Sequence, residues 1–366
     1  MMERRRLFTK RCTRCVMPEK YPDISFNSEG VCGYCLGEQH FGVSGDPEVR
    51  ELMARKNELR EDFERAVSEC KGQGEYDCLV LLSGGKDSAY LAYLLKERYE
   101  LKILSLTVDT GLLSKLAIPN CQKTAEYLDI DHIVITPRAG FFKKLYRYYL
   151  THPNFVKEKY EEVGYLSTVC RACCEAVHSI GLQEAYRRGI PLVALGYSPD
   201  QIEHYFYEIP RKEICEQGWV PKELYNEPFD EEDRKYFWDP NIYTEKSNFP
   251  RVLLPYHVID YSGIGDVTKK VEEIGLIRKR KASPIVTNCQ MGMLLAYLDI
   301  KKQGYNPIIS ALGYDIKEGM LNRTRRLIIG IEAVNWLMKS DVIRVFANGK
   351  MRRLLRQLDV KMDDLI

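Results

Sequence analysis

Nowhere in the 366 residues does an apolar run approach the ~18 to 20 residues needed to cross a bilayer. The opening Met1-Met-Glu-Arg-Arg-Arg6 is not followed by the apolar stretch of a secretory leader. Membrane-spanning and exported classes are therefore set aside, and the expectation is a soluble, cytoplasmic protein with no membrane partner. Net charge is also small: 54 Lys and Arg against 52 Asp and Glu leave +2, which exerts no global pull on nucleic acid. Histidine is scarce, at six, and His204 and His257 stand isolated, so neither is assigned as a general base. The chain has no internal repeat, no low-complexity segment and no GxxxxGK[ST] phosphate loop. The last absence disfavours a simple phosphoryl-transfer NTPase.

What is present is a globular balance, 45% hydrophobic and 29% charged, on a chain long enough for one large α/β unit with appendages. Four regions are expected. Residues 1–44 form a small cysteine-rich ribbon, 45–75 a helical linker, 76–260 the main α/β domain, and 261–366 a mainly helical region. The linker opens at Asp46-Pro47, an N-cap followed by proline in the first turn. Within the main domain, residues 201–250 read as an insert with eleven aromatic and twelve acidic residues, a lid or a partner surface. The run from Leu321 to Ile366 is basic instead, ten Lys or Arg against five Asp or Glu.

Buried-strand runs at 77–82, 101–108, 132–135 and 191–195 alternate with helical periodicity at 87–98, 119–128, from about 140, and at 170–188. That alternation predicts βαβ units: a parallel, twisted sheet with helices on both faces. Between the first strand and first helix stands Ser83-Gly84-Gly85-Lys86-Asp87-Ser88. Two glycines let backbone approach phosphate oxygens, and the helix start presents free N–H groups to an anion. Lys86 adds a point charge, Ser83 and Ser88 add hydroxyls, and Asp87 is a candidate for Mg²⁺.

The hexapeptide resembles the PP-loop of the N-type ATP pyrophosphatases. This family splits ATP between its α and β phosphates, adenylates a carbonyl, amide or lactam oxygen, and lets nitrogen or sulfur displace AMP. The resemblance implies a PP-loop fold, with Lys86 and Asp87 as catalytic residues and Ser83, Gly84, Gly85 and Ser88 completing the ATP site. Thr107-Val108-Asp109-Thr110-Gly111 resembles the family's adenine-receiving segment, which implies ATP contacts at Val108 and Asp109. Leu195-Gly196-Tyr197-Ser198-Pro199-Asp200 resembles its strand-end GHxxDD segment, so Gly196 and Asp200 join the ATP set. Tyr197 stands where His is common, and Gln201 where a second Asp often stands.

Twelve cysteines are many for a reducing compartment, where clustered thiols point to metal or catalysis before disulfides. Cys12-x2-Cys15-x16-Cys32-x2-Cys35 has the spacing of a closed four-cysteine zinc site, structural because no coordination position stays open. Its surrounding words, Arg14-Cys-Val-Met-Pro18, Pro22-Asp-Ile-Ser-Phe26 and Glu29-Gly-Val-Cys-Gly-Tyr-Cys35, resemble the N-terminus of N-acetyl sugar amidotransferases of surface-glycan biosynthesis. Thr287-Asn288-Cys289 and Tyr305-Asn306-Pro307 add to that likeness. It implies conversion of a sugar acetamido group to an acetamidino group, a nucleotide-linked N-acetyl sugar as acceptor, and a separate glutaminase subunit supplying ammonia. Cys170-Arg-Ala-Cys173-Cys174, with Cys289 or Cys215 as a later partner, resembles instead the [4Fe–4S] ligand set of certain tRNA thiolases. A second metal or sulfur site at Cys170, Cys173 and Cys289, with tRNA or a small molecule as acceptor, therefore stands open beside packing of a cysteine-rich helix on the sheet. The expected cofactors are ATP, Mg²⁺ and Zn²⁺, with the iron–sulfur cluster tied to the second reading. A homodimer is left open.

Overall fold

The computed structural model describes residues 10–38, 51, 54–138, 140–153, 165–198, 207–259, 261–277, 288–306, 309–339 and 348–365. The Asp46-Pro47 cap, Pro199 to Gln201, His204, Arg278 to Lys281, Thr287 and Pro307 lie outside them.

In chain order, α1 (Lys56–Cys70) leads to β1 (Cys78–Leu81), α2 (Lys86–Glu97), β2 (Ile103–Val108), α3 (Ala117–Leu128), β3 (Asp131–Ile135) and α4 (Phe141–Thr151). There follow α5 (Tyr165–Arg188), β4 (Leu192–Ala194), β5 (Arg251–Leu253), α6 (Gly263–Ile274), α7 (Met291–Gln303), α8 (Ile309–Lys317), α9 (Arg325–Lys339) and α10 (Asn348–Leu358). The five strands pair in parallel in the order β3-β2-β1-β4-β5. The expected parallel sheet is thus present, and its strand order reverses between β1 and β4. In open α/β sheets that switch point, at the carboxyl ends of the strands, is where ligands bind.

Side chains of β1 alternate between two cores. Leu79 and Leu81 join α4, α5, α7 and α10 on one face of the sheet. Cys78, Val80 and Leu82 join α1, α2, α3 and α6 on the other. Burial on both faces is why β1 reads as an unbroken apolar run, and at about 25 cal/mol per Å² these two layers supply most of the folding drive.

Two elements differ from the sequence reading. β5 was not anticipated, because three residues carry no periodicity. The acidic, aromatic segment before it is therefore the connection from β4 to β5. Of its described aromatics, Phe229, Phe237, Trp238 and Phe249 are buried in the first core, whereas Tyr225 is exposed. Trp238 stacks on Tyr243 with ring centroids 4.6 Å apart and donates its indole N–H to the Ile214 carbonyl at 2.8 Å.

The N-terminal ribbon docks on the far end of the chain. Met17, Tyr21 and Val31 pack with Tyr305, Ile309 and Leu312 in a third core, bordered by Leu327 and Ile328 of α9. Arg323 donates to the Cys15 carbonyl at 2.6 Å and the Cys12 carbonyl at 3.1 Å, and Arg11 pairs with Glu332 in a nearly solvent-free contact.

Candidate functional site

β1 runs straight into the phosphate loop, and α2 starts within it at Lys86, with Gly85 as N-cap. The loop is tied by its own hydroxyls. Ser83 N–H donates to Ser88 Oγ at 3.1 Å, the two serine oxygens lie 3.1 Å apart, and Gly85 N–H donates to Ser83 Oγ at 3.3 Å. Asn120 of α3 donates its amide to the Gly84 carbonyl at 3.1 Å.

At three glycines around this loop an added Cβ would meet a neighbour closer than 3 Å. Gly84 has φ +74°, and a Cβ there would stand 2.3 Å from the Ala117 carbonyl oxygen. A Cβ on Gly85 would stand 2.8 Å from Nδ2 of Asn288. A Cβ on Gly196, at the end of β4, would stand 2.8 Å from Ser88 Cα and 2.9 Å from its nitrogen. The β4 end therefore presses backbone to backbone against the first turn of α2, which brings Gly196 to the loop. Asp200 lies outside the described residues.

Lys86 is 8% exposed and holds its Nζ 2.5 Å from Asp87 Oδ2. The other oxygen of Asp87 accepts from Tyr261 at 3.4 Å, and its main-chain carbonyl accepts from Tyr256 at 2.6 Å. Burial beside Asp87 drives the Tyr256 phenol well above its ordinary range, so it stays a donor. At the end of β2, Asp109 bends the chain by accepting from Gly111 N–H at 2.8 Å, an Asx turn. Val108, the last residue of β2, buries its side chain in the core.

Residues 288–290 return to this end of the sheet. Leu113 and Cys289 form an antiparallel bridge, Ser114 N–H donates to the Asn288 carbonyl at 2.6 Å, and Gln290 N–H to the Leu112 carbonyl at 2.8 Å. Cys289 thereby borders the first core, as do Cys170 and Cys173 of α5, but these three sulfurs do not all lie within 4.8 Å of one another. Tyr146 of α4 lies 3.0 Å from Cys173 Sγ. Burial pushes the thiols of Cys170 and Cys173 well above their usual range, with Cys174 and Cys289 adding to the effect. Burial also pushes Cys289 up to about 11. Such thiols are inert unless a metal takes their protons. Behind them Tyr197 sits 3.0 Å from His178 Nε2, and burial lowers that imidazole to about 4. The described part of α5 opens at Tyr165, so Cys170 and Cys173 lie more than a turn inside the helix.

Cys12, Cys15, Cys32 and Cys35 are a different kind of group. All four sulfurs lie within 4.8 Å of one another, the only such set of three or more metal-ligating residues among the described ones. Cys12 and Cys35 sulfurs are 3.9 Å apart, and Cys15 and Cys32 sulfurs 3.7 Å. A tetrahedron with metal–sulfur bonds of about 2.3 Å has edges of about 3.8 Å. The donor set thus fits one tetrahedral ion. N–H groups of Arg14, Cys15 and Cys32 point at Cys12 Sγ from 3.3 to 3.4 Å, as stabilised thiolate charge requires.

Tyr256, Tyr261, Asn120 and Asn288 were not anticipated as site residues; each comes from a distant segment with no phosphate-loop word of its own. Lys143 and Lys144 pair with Asp359 and with the buried Asp233. A hollow of about 880 Å³ at the opposite, amino end of β4 and β5 contains none of the predicted residues.

Residues 58–153, spanning the loop and β1 to β3, match the family model described as asparagine synthase. An uncharacterized protein of Methanocaldococcus jannaschii is 26% identical over 126 residues, 34% of this chain. The chain spans 42% of the length of that curated relative. Two solved structures are distantly alike. One is the U34-tRNA thiolase NcsA from Methanococcus maripaludis with its [4Fe–4S] cluster, 15% identical with TM-score 0.33, covering 88% of this chain and 90% of that one. The other is NMN synthetase from Francisella tularensis, 12% identical with TM-score 0.36, covering 78% and 96%. Scores this low carry no statement about chemistry.

Proposed function

On the premise of a PP-loop ATP pyrophosphatase domain, we propose that the protein adenylates an amide oxygen and passes ammonia to the activated carbon, with an N-acetylated, nucleotide-linked sugar as acceptor. The observation that carries the adenylation step is the placement of Ser83 to Ser88 at the sheet's switch point, with Gly196 packed on Ser88. In this reading the loop N–H groups, the α2 start and Lys86 hold the β and γ phosphates, releasing Lys86 from Asp87. The Asp87 carboxylate suits a hard divalent ion such as Mg²⁺, which neutralises phosphate charge when bound. In the same reading Asp109 and Val108 meet the adenosine, and Asp200 is an ATP or Mg²⁺ contact.

The acetamido oxygen attacks the α-phosphorus; the O–P bond forms as the bond to pyrophosphate breaks. Ammonia then adds to the carbon, loses a proton, and AMP departs with the former amide oxygen, leaving an amidine. The ammonia comes from a separate glutaminase subunit. The ribbon cysteines hold Zn²⁺ in a structural role.

One observation favours a second reading, sulfur transfer to tRNA or a small molecule: Cys170, Cys173 and Cys289 all border the first core, near enough for Cys289 to act on both helix thiols. Their chemistry suits an iron–sulfur cluster or a persulfide.

The test is AMP and pyrophosphate release by purified protein given MgATP, ammonium and N-acetylated sugar nucleotides, with Lys86→Ala as control. Acceptor-dependent AMP that disappears in Lys86→Ala supports the first reading. No AMP with any sugar, together with about four irons and matching sulfide per chain in anaerobically purified protein, transfers support to the second. Activity that survives Cys170→Ser and Cys173→Ser removes the second.

A further inference from the structure

We propose that Asn288 is a phosphate-contacting residue of the loop, supplied from the far half of the chain; the inference rests on the ATP reading above and adds a donor to that site. The main chain of residues 288–290 is fixed to the loop after β2 at several points. The Asn288 carbonyl accepts from Ser114, Leu113 bridges Cys289, and Gln290 gives its main-chain N–H to Leu112 and its side-chain amide to the Leu113 carbonyl at 2.9 Å. With the backbone held this way, neighbouring side chains go to opposite sides, as in any extended pair.

Cys289 goes toward the first core, which Cys170 and Cys173 also border. Asn288 goes to the loop, where its Nδ2 lies 2.8 Å from the place a Gly85 Cβ would fill. Its amide nitrogen thus lies against Gly85, the residue that caps α2. The absence of a side chain at Gly85 makes room for it. The ligand class is a nucleotide phosphate, whose oxygens accept N–H donors. A carboxamide donates there without adding the charge that Lys86 already supplies.

The role separates from a structural one because the backbone contacts of residue 288 do not need its side chain. Asn288→Ala keeps them and removes the donor; Asn288→Asp keeps shape and substitutes an acceptor that repels phosphate. The experiment measures binding of MgATP and of adenosine to the full chain by calorimetry. Expected for Asn288→Ala is about ten- to hundredfold weaker MgATP binding, the effect of one hydrogen bond to a charged group. Adenosine binding should stay at the wild-type value, and Asn288→Asp should bind MgATP more weakly than Asn288→Ala. Wild-type MgATP affinity in both variants, or an equal loss for MgATP and adenosine, overturns the inference alone. A wild-type chain that binds no MgATP overturns the ATP reading, and the inference with it.

Discussion

Gly196→Ala tests whether the end of β4 sets the position of the phosphate loop. A methyl group at residue 196 starts 2.8 Å from Ser88 Cα and 2.9 Å from Ser88 N, and ordinary contact begins at 3.4 Å. Both neighbours are backbone, so no side chain can rotate away, and the first turn of α2 must retreat by roughly 0.6 Å. A 1 Å displacement of reacting groups lowers rates about a hundredfold, so the expected loss here is roughly tenfold or more in the rate of AMP formation. Overpacking of this kind also destabilises by roughly 1 to 3 kcal/mol, seen as a Tm lower by several degrees. Gly265→Ala is the matched control, since a Cβ in that part of α6 has nothing within 4 Å. It should leave activity unchanged and stabilise by about 0.5 to 1 kcal/mol through helix propensity. The assay pairs calorimetric Tm with MgATP-dependent AMP release. A Gly196→Ala protein with the wild-type Tm and rate would refute the reasoning, because the loop would then be free of its strand-end support.

Further outcomes follow from other parts of the molecule. Purified protein should carry about one zinc per chain, and Cys32→Ser should lose it and expose residues 10–38 to proteolysis; zinc-free protein with full resistance would contradict a structural site. Asp233→Ala should destabilise by roughly 2 to 3 kcal/mol in denaturant titration, because Arg138 and Lys144 converge on that buried carboxylate; an unchanged midpoint would show the pairs to be idle. His178 binds its proton only near pH 4 when folded but near 6.5 when unfolded. The unfolded chain therefore takes up more protons in that window, and stability falls as pH drops through it, by about 3 kcal/mol at the lower end. His178→Gln should flatten that part of the Tm–pH curve, and an unaltered curve would remove the assignment.

The sheet was legible because β1, β2 and β4 are buried on both faces, so their apolar runs stand out between helical periods. β5 was not, since its three residues owe their pairing to β4 rather than to any pattern of their own. The loop from Ser83 to Ser88 and the ribbon cysteines were legible as words whose residue types serve one purpose. Tyr256, Tyr261 and Asn288 were not: each acts through a single polar atom brought in by tertiary packing, and nothing in their neighbouring residues signals where that atom goes. The aromatic connection misled for a related reason. Trp238 and Phe249 look like a surface when read in an acidic segment, yet they fill the groove beside α5.

The docking of the ribbon onto α8 and α9 has a consequence for how the chain is made. Arg11 and its partner Glu332 are separated by 321 positions. At about 5 to 20 residues per second, a ribosome takes roughly 15 to 60 s to synthesise that interval. For most of that time the ribbon has been made while Ile309, Leu312 and Ile328 have not, so Met17 and Tyr21 present an apolar face with no native surface to cover it. Early metal capture would keep that face on a rigid knuckle instead of a loose segment. Assembly of the third core is then a late event, and a chain interrupted before Tyr305 would display the same patch without end.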